Sequence, residues 1–202
     1  MVLASHVIIG MYGFWLPNDA RGSWSDFVGS WELLRFGKAT TVRVRQSLAR
    51  RPFDPAKRAA ARAALKYPPV VLTGVQARAI GRGFANYAEK SGLRILACAI
   101  LPQHAHLVLA RHRLDVEQLA NQLKGAATRQ LNEEQLHPLA EHQGTMRRPP
   151  KAFARGLWKV FLNTPADIER SIRYVENNPL REHLPVQCWS FITPYLVHAA
   201  HA

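Results

Sequence analysis

Cysteine is scarce in this sequence of 202 residues: Cys98 and Cys188 stand alone, too few for a disulfide framework or a zinc knuckle. Two free thiols suit a reducing compartment and predict a cytoplasmic protein. Long apolar runs are missing too. No stretch approaches the roughly 18 apolar residues of a membrane span, and the first run is broken by Gly10, Gly13 and Pro17. Met1 to Trp15 has neither the basic start nor the small-residue cleavage site of a leader peptide, so its Val and Ile residues read as a strand. No internal repeat is present. The third shortage is of acids: 14 Asp and Glu face 27 Lys and Arg, a formal net charge of +13. That balance calls for a polyanionic partner, with nucleic acid first in line. The 48% hydrophobic composition is still enough to bury a core within one domain.

The charge is concentrated. Between Arg35 and Arg82 there are twelve Lys or Arg against the single acid Asp54, which accounts for +11 of the total. Twenty of the 27 cations are Arg, whose planar fork grips a phosphate through two hydrogen bonds. Within this region Asp54-Pro55 starts an alanine-rich helix to Leu65, with an acidic N-cap and Pro at the first helical position. A solvated helix face is the plain reading of such a run. Twelve cations with one counter-charge repel one another, however, and a bound polyanion relieves that repulsion.

Outside the basic region, strand-like and helix-like segments alternate. His6 to Tyr12 is β-rich and leads into a turn-rich loop, Gly13 to Gly22. Thr73 and Gln76 form a capping box for a helix whose apolar face is Val75, Ile80, Phe84 and Tyr87, ending at Gly92. Leu93 to Leu101 and His104 to Ala110 flank Pro102-Gln103 as a hairpin. Asp115 caps a helix bearing Val116, Leu119, Leu123 and Ala127. Leu139 to Arg155 is a long connection, Leu157 to Leu162 a further strand, and Thr164-Pro165-Ala166-Asp167 a helix start. The order predicts an α+β fold, a ferredoxin-like (RRM-like) antiparallel sheet with helices on one face, a basic insertion and a C-terminal catalytic helix. The expected organisation is a single domain over 1–202, with the insertion at 23–69 and a tail at 184–202.

Two places carry chemistry. In His104-Ala105-His106 the strand alternation puts both imidazoles on one face with Val108, and Ala105, Leu107 and Leu109 on the core-facing side. The pair is half of a divalent-metal site; it is equally compatible with histidines at a core edge. On the last helix the apolar stripe is Ile168, Ile172 and Val175, and Tyr174 lies off it. Arg170, Tyr174 and Asn178 make an i, i+4, i+8 row that presents a phenol between a cation and an amide. A tyrosine hydrogen-bonded at a helix end has the same pattern.

Three ordered motifs then coincide. Leu101-Pro102-Gln103-His104-Ala105-His106-Leu107-Val108, Ile172-Arg173-Tyr174-Val175-Glu176-Asn177-Asn178-Pro179 and the opening Tyr12 to Gly22 together resemble the HUH single-tyrosine transposases, and among them the REP-associated tyrosine transposases. The resemblance spans residues 5–22 and about 70–183. Gln103 replaces the usual Asn, Phe14 a Thr and Asn18 a Gly, and residues 23–69 match no motif of the family.

The resemblance implies an enzyme that cuts and rejoins single-stranded DNA, on hairpin-forming repeats, through a 5′-phosphotyrosine. Tyr174 would be the nucleophile, and His104, His106 and Asn178 would hold one Mg²⁺ or Mn²⁺. DNA would be gripped by Arg43, Arg45, Arg50, Arg51, Arg58, Arg62 and Arg170, with Trp15, Trp24 or Trp31 either stacked on unpaired bases or part of the core. Monomer and homodimer both fit, and no membrane is involved. Two other readings compete. A non-catalytic DNA- or RNA-binding protein on the same sheet would carry aromatics on the hairpin strands, and Leu93 to Ala110 has none. A metal-dependent hydrolase of small substrates would leave the positive charge without a purpose.

Overall fold

The computed structural model describes residues 1–16, 33 and 54–196. Four strands, β1 (Ala4–Gly10), β2 (Ile95–Ile100), β3 (His104–Ala110) and β4 (Trp158–Leu162), form one antiparallel sheet in the order β2-β3-β1-β4. This is the split βαβ order expected for a ferredoxin-like chain. Over 54–196 the α-helices are α1 (Pro55–Ala63), α2 (Gly74–Ser91), α3 (Val116–Glu133), α4 (Pro165–Glu176) and the single turn α5 (Asn178–Arg181). None of the described helices is long and apolar enough to cross a membrane.

Local signals set the helix ends. Asp54 accepts from the Lys57 backbone N–H to start α1. Thr73 and Gln76 close a reciprocal capping box on α2, whose far end is Gly92 in the left-handed region at φ 71°. Thr164 and Asp167 do the same for α4, with Pro165 at its first position. Strand β1 begins two residues before His6 and ends at Gly10; Met11 adds only an isolated bridge to Phe153.

The sheet is covered on both faces. On one, Val7, Ile9 and Met11 of β1 and Ala105, Leu107 and Leu109 of β3 meet Ile80 and Phe84 of α2 and Leu119, Leu123 and Ala127 of α3. On the other, Ala4, Val108 and Leu162 meet Ile168 and Val175 of α4. Thus α2 and α3 share one face, and the tyrosine-bearing helix crosses the opposite one. Burial on both sides is why β2 and β3 read as nearly continuous apolar runs. Val75, expected on the buried face of α2, is instead 46% exposed, in the first turn of the helix.

The two helices of the first layer approach closely at Gly83, where a Cβ would lie 2.7 Å from the Ala127 Cα. Lys124 of α3 is buried and donates through Nζ to the Ala154 and Gly156 carbonyls, tying down the connection that leads into β4. Burial, and after it the charge of Lys151, lowers the Lys124 amine to about 8.

The segment expected as a tail docks on the free edge of β2. The Gln187 side chain accepts from the Ile100 N–H and donates to the Ile100 carbonyl, both at 2.8 Å, and the Thr193 N–H donates to the Ile95 carbonyl at 2.8 Å. Trp189 lies against Gly81, where any Cβ would collide with its ring. An open strand edge is thereby occupied by the chain's own C-terminal residues.

Candidate active site

The site lies on the α4 face of the sheet. Antiparallel pairing sets Gly10 opposite His104, Ile8 opposite His106 and His6 opposite Val108. His104, His106 and Val108 share a face, as the strand alternation predicts, and the same register puts His6 of β1 diagonally beside His106. The His6 Nε2 and His106 Nδ1 atoms are 3.0 Å apart, a buried hydrogen bond between ring nitrogens. His104 and His106 have ring centroids 4.8 Å apart.

His104 is held from the β1 end. Phe14 stacks on its ring at 4.5 Å with an interplanar angle of 16°. Gly10 makes room for this, since a Cβ there would lie 3.3 Å from the Phe14 ring and 3.4 Å from that of Trp15. The residues just after β1 thus place Phe14 over His104. Phe14 and Leu16 are buried and Trp15 partly so, which makes these residues of the opening motif packing elements.

Tyr174 comes down from α4. Its ring centroid is 5.7 Å from that of His106 and 5.7 Å from that of His6, within the same chain. At 39% exposure it is off the buried stripe, as its helical position predicts, while Ile168 and Val175 are buried. The cation beside it differs from expectation. The Arg170 guanidinium pairs with Asp167 on its own helix, and Arg181 of α5 lies over the Tyr174 ring, 5.0 Å from its centroid. The i+4 spacing made Arg170 a neighbour of the phenol, but the carboxylate three residues before Arg170 is the stronger partner.

Asn178 opens α5, directly after the Asn177 cap of α4, and is only 6% exposed. Its side-chain Nδ2 is buried without a hydrogen-bond partner, which is costly unless something else enters the site. Glu182 follows one turn later. Its Oε1 is 3.9 Å from His104 Nε2.

Burial governs the imidazoles. It lowers His6 to about 4, and, together with the neighbouring charges of His104 and His6, it lowers His106 to about 2. Both are neutral at physiological pH, the form in which a ring nitrogen offers a lone pair. Among the described residues no group of three or more His, Cys, Asp and Glu side chains is gathered around one point. The anticipated donor set, two imidazoles and an amide oxygen, fits a divalent cation by its chemistry, whereas the unpartnered Asn178 Nδ2 is an N–H donor and calls for an acceptor.

His104, His106 and Tyr174 therefore come together, and Asn178 is buried at the start of the next turn. Arg58 and Arg62 lie on α1, far from the site elements in sequence, and Arg170 is exposed on α4. Arg43, Arg45, Arg50 and Arg51, with Trp24 and Trp31, lie outside the described residues. Sequence reasoning overlooked His6. The signal was available: a lone histidine in an apolar strand, on the alternate positions of Ile8 and Gly10, in a topology that makes β1 the neighbour of β3.

Among solved structures, the chain is similar to a REP-associated tyrosine transposase bound to a REP hairpin, at 10% identity and TM-score 0.45, over 89% of this chain and 68% of that one. It is also similar to a candidate transposase of Deinococcus radiodurans, at 15% identity and TM-score 0.45, over 88% of this chain and 91% of that one. No curated protein gives a significant match. The sequence model of the IS200-like transposases matches residues 63–178, a span that contains the histidine pair, the tyrosine helix and Asn178. With more than half of its length matched, the chain belongs to the family of IS200-like transposases.

Proposed function

We propose that this transposase cuts and rejoins single-stranded DNA with Tyr174 as nucleophile. The observation that carries the reading is the placement of the phenol ring 5.7 Å from His106 and from His6 in one chain, an arrangement that needs no second copy. The Tyr174 oxygen attacks phosphorus and loses its proton, the bond from phosphorus to the 3′ oxygen breaks, and that oxygen takes up a proton. The products are a 5′-phosphotyrosine and a free 3′-OH. A phenol leaves far more readily than an alkoxide, its ordinary pKa being about 10, so the link is reversible and rejoining requires no ATP.

His104, His106 and Asn178 hold one Mg²⁺ or Mn²⁺ in this reading. Such a cation, when bound, polarises the scissile phosphate and offsets charge on the leaving oxygen. The protein's part is to present the donors. Of the two ring nitrogens that share the His6–His106 hydrogen bond, one donates; with the proton on His106 Nδ1, its Nε2 keeps a lone pair. Phe14 fixes the plane of His104 by stacking.

The whole chain acts as one domain, in which the basic insertion 23–69 grips DNA and 184–202 is an appendage. Arg43, Arg45, Arg50, Arg51, Arg58 and Arg62 hold the stem of a hairpin through phosphates, contacts that fix register without reading sequence. Arg170 lies nearer the chemistry and would touch the strand at the cleavage point.

The test is direct. Full-length protein with Mn²⁺ and a single-stranded DNA hairpin gives a covalent protein–DNA adduct, and Tyr174→Phe abolishes the adduct while DNA binding persists. An adduct that survives the substitution overturns the assignment. Binding by the wild type with no adduct under any metal condition favours the non-catalytic reading.

A further inference from the structure

We infer that Arg181 is a further catalytic residue, whose guanidinium binds the non-bridging oxygens of the phosphate that Tyr174 attacks. The inference rests on the nucleophile reading above and adds a residue that reading does not use. Arg181 ends α5 and lies over the Tyr174 ring, 5.0 Å from its centroid. A phosphorus brought to the phenol oxygen is then within reach of the N–H fork of that side chain.

The neighbouring arginines are already engaged. On α4, Arg170 pairs with Asp167 and Arg173 with Glu169, while Arg181 has no carboxylate partner among the described residues. Glu182, next to it in sequence, has its Oε1 3.9 Å from His104 Nε2 instead. His6 and His106 are neutral at physiological pH and bring no positive charge. Arg181 is exposed, and a cation on an exposed ring face is held weakly. It can turn to a phosphate, where its planar fork makes paired, charge-assisted hydrogen bonds. Asn178, three residues earlier and so on the same side of the turn, is buried with an Nδ2 that lacks an acceptor. A phosphate oxygen is an acceptor of the kind it calls for.

The reaction gives the contact its work. The Tyr174 oxygen bonds to phosphorus as its proton leaves to water; the bond to the 3′ oxygen breaks, and that oxygen takes a proton from water. Between these events phosphorus carries an extra oxygen, and negative charge builds on the non-bridging pair. A guanidinium beside them stabilises that charge without giving up a proton.

The test uses full-length protein, Mn²⁺ and a single-stranded DNA hairpin that the wild type cuts. Arg181→Ala should slow adduct formation at saturating DNA by about 100- to 1,000-fold, with hairpin affinity and melting temperature nearly unchanged. Arg181→Lys should fall between the two, and added guanidinium ion should restore part of the Arg181→Ala rate. With a neutral methylphosphonate at the cut linkage, the difference between wild type and Arg181→Ala should vanish, because the charge that Arg181 meets is gone. Equal rates on the ordinary phosphodiester overturn the inference alone. So does a loss that guanidinium leaves unrescued and methylphosphonate leaves undiminished, the mark of ring packing only. A wild type that forms no adduct, or a Tyr174→Phe variant that still forms it, overturns the nucleophile reading and this inference with it.

Discussion

His6 and His106 are joined by a buried hydrogen bond of 3.0 Å between ring nitrogens, across 100 residues of sequence. The bond occupies Nδ1 of His106, so in the cation-binding reading proposed above only its Nε2 can face the ion, and the shared proton must then sit on Nδ1. In that reading His6 is a positioning residue. Partners of metal-bound histidines of this kind are typically worth 10 to 100-fold in metal affinity. His6→Ala should lower Mn²⁺ affinity by about that factor, and the concentration of Mn²⁺ needed for half-maximal adduct should rise in proportion. His6→Gln, which can still accept at Oε1, should recover part of the loss. Adduct formation with an unchanged Mn²⁺ requirement in both variants would show that the bond is structural only.

The same burial makes the metal-free fold sensitive to acid. His6 titrates at about 4 and His106 at about 2 in the folded chain, against an ordinary 6.5. The unfolded chain therefore binds more protons than the folded one below that ordinary value, and stability falls as pH drops from 6.5 toward 4. It is fully present above that window. At about pH 4.5 the loss should approach about 3 kcal/mol for either histidine taken alone, two pKa units at about 1.4 kcal/mol each. Urea melts of the chelator-treated protein at neutral pH and at about pH 4.5 read this directly. His6→Phe should flatten the dependence, and an unaltered slope would contradict the assignment.

Helix packing offers an independent check of the fold. A Cβ at Gly83 would stand 2.7 Å from the Ala127 Cα and 2.8 Å from the Ala126 carbonyl oxygen, and backbone atoms have little freedom to move away. Gly83→Ala should force α2 from α3 and cost about 1–3 kcal/mol, lowering the melting temperature by about 5 °C. Gly125→Ala on α3 is the matched control, since its Cβ would approach only the end of the Arg129 side chain, at 3.6 Å. That variant should be neutral or slightly stabilising, as Ala is the better helix former by about 1 kcal/mol.

Binding to single-stranded DNA should depend steeply on salt. With about six phosphate contacts, log K falls against log salt with a slope of about −4. Arg50→Ala with Arg51→Ala should reduce the magnitude of the slope, as should Arg58→Ala with Arg62→Ala on α1, while Tyr174→Phe leaves it unchanged. An affinity independent of salt would remove the basic region from DNA binding.

The helices were legible because their signals are local. Asp54-Pro55, Thr73 with Gln76, and Thr164-Pro165 with Asp167 each satisfy orphan N–H groups within four residues, and those contacts form the same way in any tertiary setting. The face of the strand that carries His104 and His106 was equally legible, since alternation is a property of one strand. Boundaries were less so. β1 begins at Ala4 rather than His6 because its pairing reaches Leu162 and Ala110, partners far away in sequence.

Pairing between distant segments is what sequence periodicity does not carry. Alternation within β1 puts His6 on one side of a strand, but only the register with β3 makes it the neighbour of His106. A helical repeat makes Arg170 a neighbour of Tyr174, yet the position over the phenol goes to Arg181, because the chain turns after Asn177 and brings α5 back beside α4. The docking of Gln187 and Trp189 on β2 and α2 is of the same kind. By itself the sequence determined the excess of positive charge, the caps, the side of each element that faces the core, and the residue types able to do the chemistry, all consequences of spacing within a few turns. Only the tertiary structure decided which of those residues meet: His6 with His106, Arg181 with Tyr174 and Glu182 with His104 depend on strand register and helix crossing, where contacts are made between parts of the chain that no local period connects.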